Sequence, residues 1–247
     1  MSSSDRLPLL RVKPSDIASR VLVVGDPARA KQAASRLDAV EQVGDNREYS
    51  TFTGTSDGKR ITVASHGVGS AGAGVCFEEL ARGGAEVIVR AGTCGSLTDS
   101  ISDGELIIAT GAVRDEGLTP RLAPLSYPAV AHHSVVKALH EVAEGAGRRA
   151  HEGLILSTDL FYPSEAMGQD FGLWQRSRVI GVEMELATLF VMASLHGIRA
   201  GGIVVVDGNP ARAAADMSNY DPYRQVVTDG TEVMIDLAVE ALTRLEP

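Results

Sequence analysis

Cysteine is scarce in this chain of 247 residues: only Cys76 and Cys94 occur, and neither belongs to a CxxC pair. A disulfide framework and a thiolate zinc site are both excluded as organising principles, and a reduced compartment fits best. No run of about 18 apolar residues appears, and the start, MSSSDRLPLL, has no basic segment ahead of a long apolar core, so neither a membrane span nor a secretory leader is expected. Lysine and arginine form no run, and the net charge is −9, a poor match to nucleic acid or an anionic membrane surface. No internal repeat or low-complexity segment is visible. These absences leave a soluble, cytoplasmic protein acting on a small molecule, built as one large α/β domain over residues 1–247.

Glycine, in contrast, is plentiful at 26 residues, and it is concentrated where it carries information. From Ala64 to Leu97 the chain reads as strand end, glycine turn, helix and second strand. Ile61 to Ala64 is β-branched and apolar, Val75 to Ala81 is amphipathic, and Val87 to Val89 is a short buried-strand run, together a βαβ unit. Glycines at 67, 69, 72 and 74, and again at 92 and 95, are expected to bare backbone amides at the carboxyl ends of two neighbouring strands, where open α/β sheets bind ligands. With Arg90 and Thr93 beside them, a small oxyanion such as phosphate is the fitting ligand. Gly67-x-Gly69-x-x-Gly72 also satisfies the dinucleotide fingerprint, but that site needs an acid at the end of the next strand, which ends in Arg90-Ala91 instead.

Val21 to Val24 is another buried strand, running into Gly25-Asp26-Pro27 and a helix over Ala28 to Leu37. Arg29 falls in the first helical turn, where the helix dipole disfavours a cation unless an anion lies near; a solvated arginine is the alternative. Arg47 carries no signal of its own. Tyr49, Thr51 and Thr53 alternate as a strand, and Asp57-Gly58 predicts a hairpin turn. His132 and His133 read as exposed capping residues. Phe161-Tyr162, in a polar loop, offer either a stacking surface for a planar ligand or core filling. Glu183-Met184-Glu185 is expected to open a helix through His196, with Glu183 as a partner of the helix dipole. Gly202 to Val206 is an apolar strand ending on Asp207, whose carboxyl burial should raise in pKa and prepare as a proton donor. A helical period runs from Asp221 to Leu245, and the loop Asn209 to Asp221 is expected to act as a lid.

Five motifs, Val24-Gly25-Asp26-Pro27 with Arg29, Ser65-His66-Gly67-Val68-Gly69, Arg90-Ala91-Gly92-Thr93-Cys94-Gly95, Val182-Glu183-Met184-Glu185 and Val206-Asp207-Gly208, together resemble the hexameric nucleoside phosphorylases, the family of purine nucleoside phosphorylase and uridine phosphorylase. The resemblance covers about residues 7 to 245 and is strongest to the apicomplexan type of purine nucleoside phosphorylase. It implies a mixed central β-sheet flanked by helices, phosphorolysis of purine nucleosides, inorganic phosphate as co-substrate, and neither metal nor organic cofactor. It implies phosphate binding by Gly25, Arg29, Arg90 and Thr93, and a homohexamer, a trimer of dimers, in which Arg47 completes the neighbouring subunit's site. It implies ribose binding by Glu183, Met184 and Glu185, base-pocket walls from Val68, Phe161 and Val182, and Asp207 as the catalytic acid at the purine.

Two positions depart from the family pattern. The glutamine and arginine by which uridine phosphorylases read the pyrimidine edge match Glu165 and Met167 here, and Leu9 stands where a histidine commonly serves the neighbour's ribose 5′-hydroxyl. Looser demand for a free 5′-hydroxyl is therefore expected. Uridine phosphorolysis, hydrolysis by water, and a nucleoside-binding protein without turnover are the competing readings.

Overall fold

The structure, a computed structural model, describes residues 6–162, 166–168, 170–212 and 220–246. Among them ten strands form one mixed sheet. In chain order these are β1 Arg20–Val24, β2 Asp38–Asn46, β3 Tyr49–Ser56, β4 Lys59–Ser65, β5 Val87–Ser96, β6 Leu106–Asp115, β7 Ala129–Val130, β8 Ala150–Thr158, β9 Val179–Glu183 and β10 Arg199–Gly208. The helices are α1 Pro27–Ala34, α2 Ser70–Arg82, α3 Thr119–Leu122, α4 His133–Gly145, α5 Phe171–Arg176, α6 Leu186–Leu195 and α7 Gln225–Arg244.

The order along the sheet is β10-β6-β8-β9-β5-β1-β4-β3-β2, and β10 also pairs with β5, so that five strands close on themselves. β5 is the hinge of this arrangement. One of its edges pairs with β10 in parallel along nearly its whole length. Its other edge is shared: Val87 to Arg90 pair with β1, and Gly95 and Ser96 pair with β9. The two partners part company between Arg90 and Gly95, which opens a gap in the sheet beside the polar residues of that stretch, the kind of divergence at which open α/β sheets bind ligands.

Alternation along the strands divides the core in two. Val21 and Val23 with Ile88, Val204 and Val206 pack under α2 and α6, whereas Leu22 and Val24 with Val87, Val89, Ile203 and Val205 pack under α1, α4 and α7. Because both faces are covered, β1 and most of β10 are buried at every residue and read as continuous apolar runs rather than alternating ones. Leu186 to Ala193 of α6 are likewise all buried, since this helix lies between the sheet and α2 and has no solvent face.

Several expectations change. β5 does not stop at Arg90 but continues to Ser96, with Gly92 and Gly95 inside the strand, and β1 lies between β4 and β5, so the two glycine clusters are not on neighbouring strands. α6 begins at Leu186, after Glu183 has ended β9. β2, an exposed edge strand with irregular register, carries no apolar period that would have announced it. The Asp57-Gly58 turn forms as expected, with φ of 48° and 69° suited to a two-residue hairpin. His132 caps α4 by accepting from the Ser134 amide.

Phe190 is 1% exposed at the centre of the α2–α6 layer. Phe190→Ala is expected to lower the unfolding free energy by about 3–5 kcal/mol, read from the urea midpoint at unchanged slope.

Candidate active site

A cavity of about 1210 Å³ lies where β1, β4, β5, β9 and β10 end. Gly25 and Arg29 reach it from the β1–α1 turn, Arg90 and Thr93 from β5, and Asp207 from β10. Val182, Glu183, Met184 and Glu185 line it from the β9–α6 junction, with Phe161 and Val68 toward its mouth. Arg47 is not among the lining residues. It is exposed at the tip of the β2–β3 hairpin with φ of 56°, and its neighbour Glu48 reaches the cavity instead.

Arg90, 4% exposed, is the electrostatic centre. Its guanidinium hydrogen-bonds the Glu185 carboxylate and lies 3.4 Å from Glu183. Burial opposes its charge, but the two carboxylates outweigh burial and raise its pKa. Its Nε and Nη1 are buried without a hydrogen-bond partner. Gly92 makes this placement possible, because the guanidinium folds back over the strand into the space a Cβ would need. Gly95 has a different reason: its missing side chain admits the Pro210 ring, 2.6 Å from where a Cβ would sit.

Glu183 is held on all sides. Ser157 donates to it, as do the backbone amides of Glu185 at 2.8 Å and Leu186 at 3.0 Å, so the carboxylate caps the start of α6 as the helix-dipole reading anticipates. Burial raises its pKa, with Arg90 opposing. Glu185 accepts from the Gly69 amide at 2.6 Å through one oxygen and from Arg90 through the other. The Gly67 amide donates to the Gly25 carbonyl at 3.0 Å. The amides of Gly67 and Gly69 are thus already engaged, and the donors facing the cavity are chiefly side chains. Arg29 makes no hydrogen bond or ion pair to a described residue, and burial lowers its pKa. His66, fully buried behind Gly25, is kept neutral by burial and by Arg90, with Nδ1 donating to the Gly67 carbonyl at 2.8 Å.

Burial pushes the Asp207 carboxyl up to about 6, while Tyr220, Thr93 and Arg29 pull it down. Tyr220 donates to Oδ2 at 2.8 Å and meets the Phe161 ring edge-to-face at 5.8 Å. Neither Tyr220 nor Ser157 stands out in the sequence. Tyr220 belongs to the expected lid, of which residues 213–219 lie outside the described residues; its flanks contribute Asn209, Pro210, Arg212, Tyr220 and Asp221 to the wall. Glu165 also lies outside the described residues, and Met167 is 87% exposed. Leu9 packs partly buried against its own core, with its amide held by Glu79 at 2.9 Å. Among the described residues no group of three or more His, Cys, Asp or Glu is arranged to hold a metal, and no helix is long and apolar enough to cross a membrane.

A cavity that gathers two guanidinium groups, buried carboxylates and a carboxyl of raised pKa can collect an anion and protonate a leaving group. Comparison with known proteins agrees: the model of the Phosphorylase superfamily matches residues 19–243. The chain belongs to that superfamily. It is 38% identical to a purine nucleoside phosphorylase of Plasmodium vivax over 91% of each chain. It is 40% identical to a uridine phosphorylase of Thermococcus kodakarensis over 80% of this chain and 75% of the relative. The crystal structure of purine nucleoside phosphorylase from Toxoplasma gondii in complex with immucillin-H superposes with a TM-score of 0.93 at 32% identity, covering 99% of this chain and 98% of that one. Superfamily membership makes the chain a nucleoside phosphorylase in the broad sense, a pentosyltransferase. The relatives' names divide between purine and uridine, so the base must be argued from residues.

Removing the central cation leaves two buried carboxylates facing each other. Arg90→Met is expected to cost about 3–5 kcal/mol at neutral pH. Glu183 has a raised pKa in the folded state, so its protonation favours folding, and the deficit should shrink as pH falls toward about 5 in urea titrations. Asp207 follows the same sign: its contribution is complete below the ordinary carboxylate range and lost as pH rises through about 6. Asp207→Asn should therefore be more stable than the wild type by about 1–3 kcal/mol near pH ~8, with the difference vanishing below about pH 4.

Proposed function

We propose that the chain catalyses phosphorolysis of purine nucleosides of the inosine and guanosine class, giving free base and ribose 1-phosphate, with inorganic phosphate as co-substrate and no metal or organic cofactor. The observation that carries this reading is Asp207: a buried carboxyl with its pKa raised to about 6, sharing a cavity with Arg29, which is unpaired among the described residues, and with Arg90.

Phosphate lies against Arg29, the open nitrogens of Arg90, Gly25 and Thr93. Glu185 takes the ribose hydroxyls with Met184 beneath the sugar, and Glu183 acts from behind by fixing Arg90 and the start of α6. Phe161, Val182 and Val68 enclose the base. As the glycosidic bond lengthens, the sugar gains oxocarbenium character beside the phosphate, and the departing purine gains negative charge that Asp207 neutralises by donating its proton to the imidazole nitrogen. Both interactions grow toward the transition state, which is the condition for raising kcat rather than merely binding substrate. Phosphate beside Arg29 offsets that cation's pull on Asp207 and keeps the carboxyl protonated when it is needed.

A pyrimidine presents no imidazole nitrogen to Asp207, and Met167 supplies no charged donor for uracil; these features favour purines over the uridine reading that some relatives' names support. The same reading takes residues 1–247 as one domain acting in the cytoplasm. It takes the assembly as a homohexamer, a trimer of dimers, with Arg47 serving a neighbouring subunit's phosphate; its exposed place at a hairpin tip, away from its own cavity, supports that role.

Incubation with inosine, guanosine, adenosine or uridine, with and without phosphate, followed by separation of bases, tests the reading. Purine release only with phosphate is expected, and Asp207→Asn should lower kcat/KM by about 10²–10⁴. Uridine cleavage exceeding inosine cleavage would transfer the assignment to uridine, release without phosphate would indicate a hydrolase, and no release of any base would leave a binding protein.

A further inference from the structure

We infer that Tyr220 is a positioning residue for the Asp207 proton, coupling the acid to the wall on which the base stacks. The inference rests on the phosphorolysis reading and assigns a role to a residue that the reading does not otherwise use.

The phenol occupies a place where two functions meet. Its hydroxyl donates to Asp207 Oδ2 at 2.8 Å. Its ring meets Phe161 edge-to-face, with centroids 5.8 Å apart and planes at 68°, and rests 3.5 Å from the position of a Gly208 Cβ. Tyr220 therefore spans from the end of β10 to the aromatic wall of the same cavity. With Oδ2 accepting from Tyr220, a protonated Asp207 has its carbonyl oxygen fixed there and its acidic hydrogen on Oδ1. One tautomer and one carboxyl orientation are selected, as a general acid requires.

The bond also changes strength during the reaction. A hydroxyl donates more strongly to a carboxylate than to a neutral carboxyl, so Tyr220 gains on Asp207 as the proton leaves. Burial beside Asp207 raises the phenol's own pKa, so Tyr220 remains a neutral donor throughout. Other groups also face Asp207. Thr93 on β5 is a second hydroxyl donor and Arg29 on α1 acts through its charge; the Cys94 thiol is kept neutral by burial, and Arg224, at the start of α7, donates at 2.8 Å to the Asp207 backbone carbonyl rather than to its carboxyl.

Tyr220→Phe keeps the ring against Phe161 and removes only the donor. In the full-length enzyme with inosine at saturating phosphate, kcat should fall about tenfold and the alkaline limb of kcat/KM should move up by about one pH unit, the size expected for losing one hydrogen bond to a charged group. KM for phosphate should stay within about twofold, because Tyr220→Phe leaves Arg29, Arg90, Gly25 and Thr93 unchanged. An independent readout is the 13C titration of the Asp207 carboxyl, assigned by its disappearance in Asp207→Asn, which should move in the same direction. An unchanged alkaline limb with an unchanged carboxyl titration, whether or not kcat falls, would overturn the inference and leave Tyr220 as pocket wall. Absence of purine release by the wild type, with the carboxyl titration still moving in Tyr220→Phe, would overturn phosphorolysis itself and not the contact.

Discussion

The site depends on one buried cation. Arg90 sits where β5 loses β1 as a partner and has not yet gained β9, and only there does the sheet leave room for a guanidinium among backbone. Burying it costs several kcal/mol of desolvation, which Glu185 and Glu183 offset. Glu183 serves only because Ser157 and the first amides of α6 hold it in place, and Glu185 only because Gly69 gives it a fixed donor. Three elements that are distant in sequence, the β4–α2 turn, β5 and the β9–α6 junction, are thereby locked to a common point. Among the described residues Nε of Arg90 has no hydrogen-bond partner, and Nη1 has only the 3.4 Å ion pair with Glu183. In the proposed reaction an oxyanion meets these nitrogens and adds to the charge balance around Arg90.

Two buried acids in the same cavity are treated differently, and the difference lies in their surroundings. Glu183 receives a hydroxyl, two amides and a nearby guanidinium, which between them occupy both oxygens and give it a structural task. Asp207 receives two hydroxyls and the charge of Arg29, too little to offset its desolvation, and so its pKa stands at about 6. A carboxyl near neutrality that lines the cavity can exchange a proton with a ligand, whereas Glu183 is tied through both oxygens to the start of α6. Stability and chemistry are opposed at Asp207: the raised pKa that suits a proton donor is the same quantity that destabilises the folded chain above that pH.

Much of this was legible from the sequence because buried strands announce themselves. Val21 to Val24, Gly202 to Val206 and the Glu183-Met184-Glu185 junction are strand ends, and at strand ends polar residues are conspicuous against apolar runs. Gly92 and Gly95 misled for a physical reason: glycine within a strand looks like a turn, yet here one admits the Arg90 guanidinium and the other admits Pro210. The expected cradle of bare amides was misplaced for a related reason, since Gly67 and Gly69 spend their N–H groups inside the protein. β2 was hidden because an edge strand with one partner and an exposed surface needs no apolar period. Tyr220 was hidden because its partner lies elsewhere along the chain and only the fold brings the hydroxyl to the carboxyl. Arg47, carried by resemblance alone, has no function that one chain can display.

In the proposed reaction, the choice between purine and uridine rests on the part of the cavity least tied to the sheet. In that reading the phosphate and the sugar, which do not vary with the base, meet Arg90, Glu183 and Glu185, which are hydrogen-bonded to one another and to the start of α6. In the same reading the base meets Asp207, Phe161 and Tyr220, where β10 and two loops come together and the contacts are hydroxyl hydrogen bonds and an aromatic edge. Contacts of that size can be exchanged at a cost of about 1 kcal/mol each without touching the ion pairs. Specificity for the base can therefore vary on a constant phosphorylase framework, and in this chain the residues at the varying end form an acid held by a phenol.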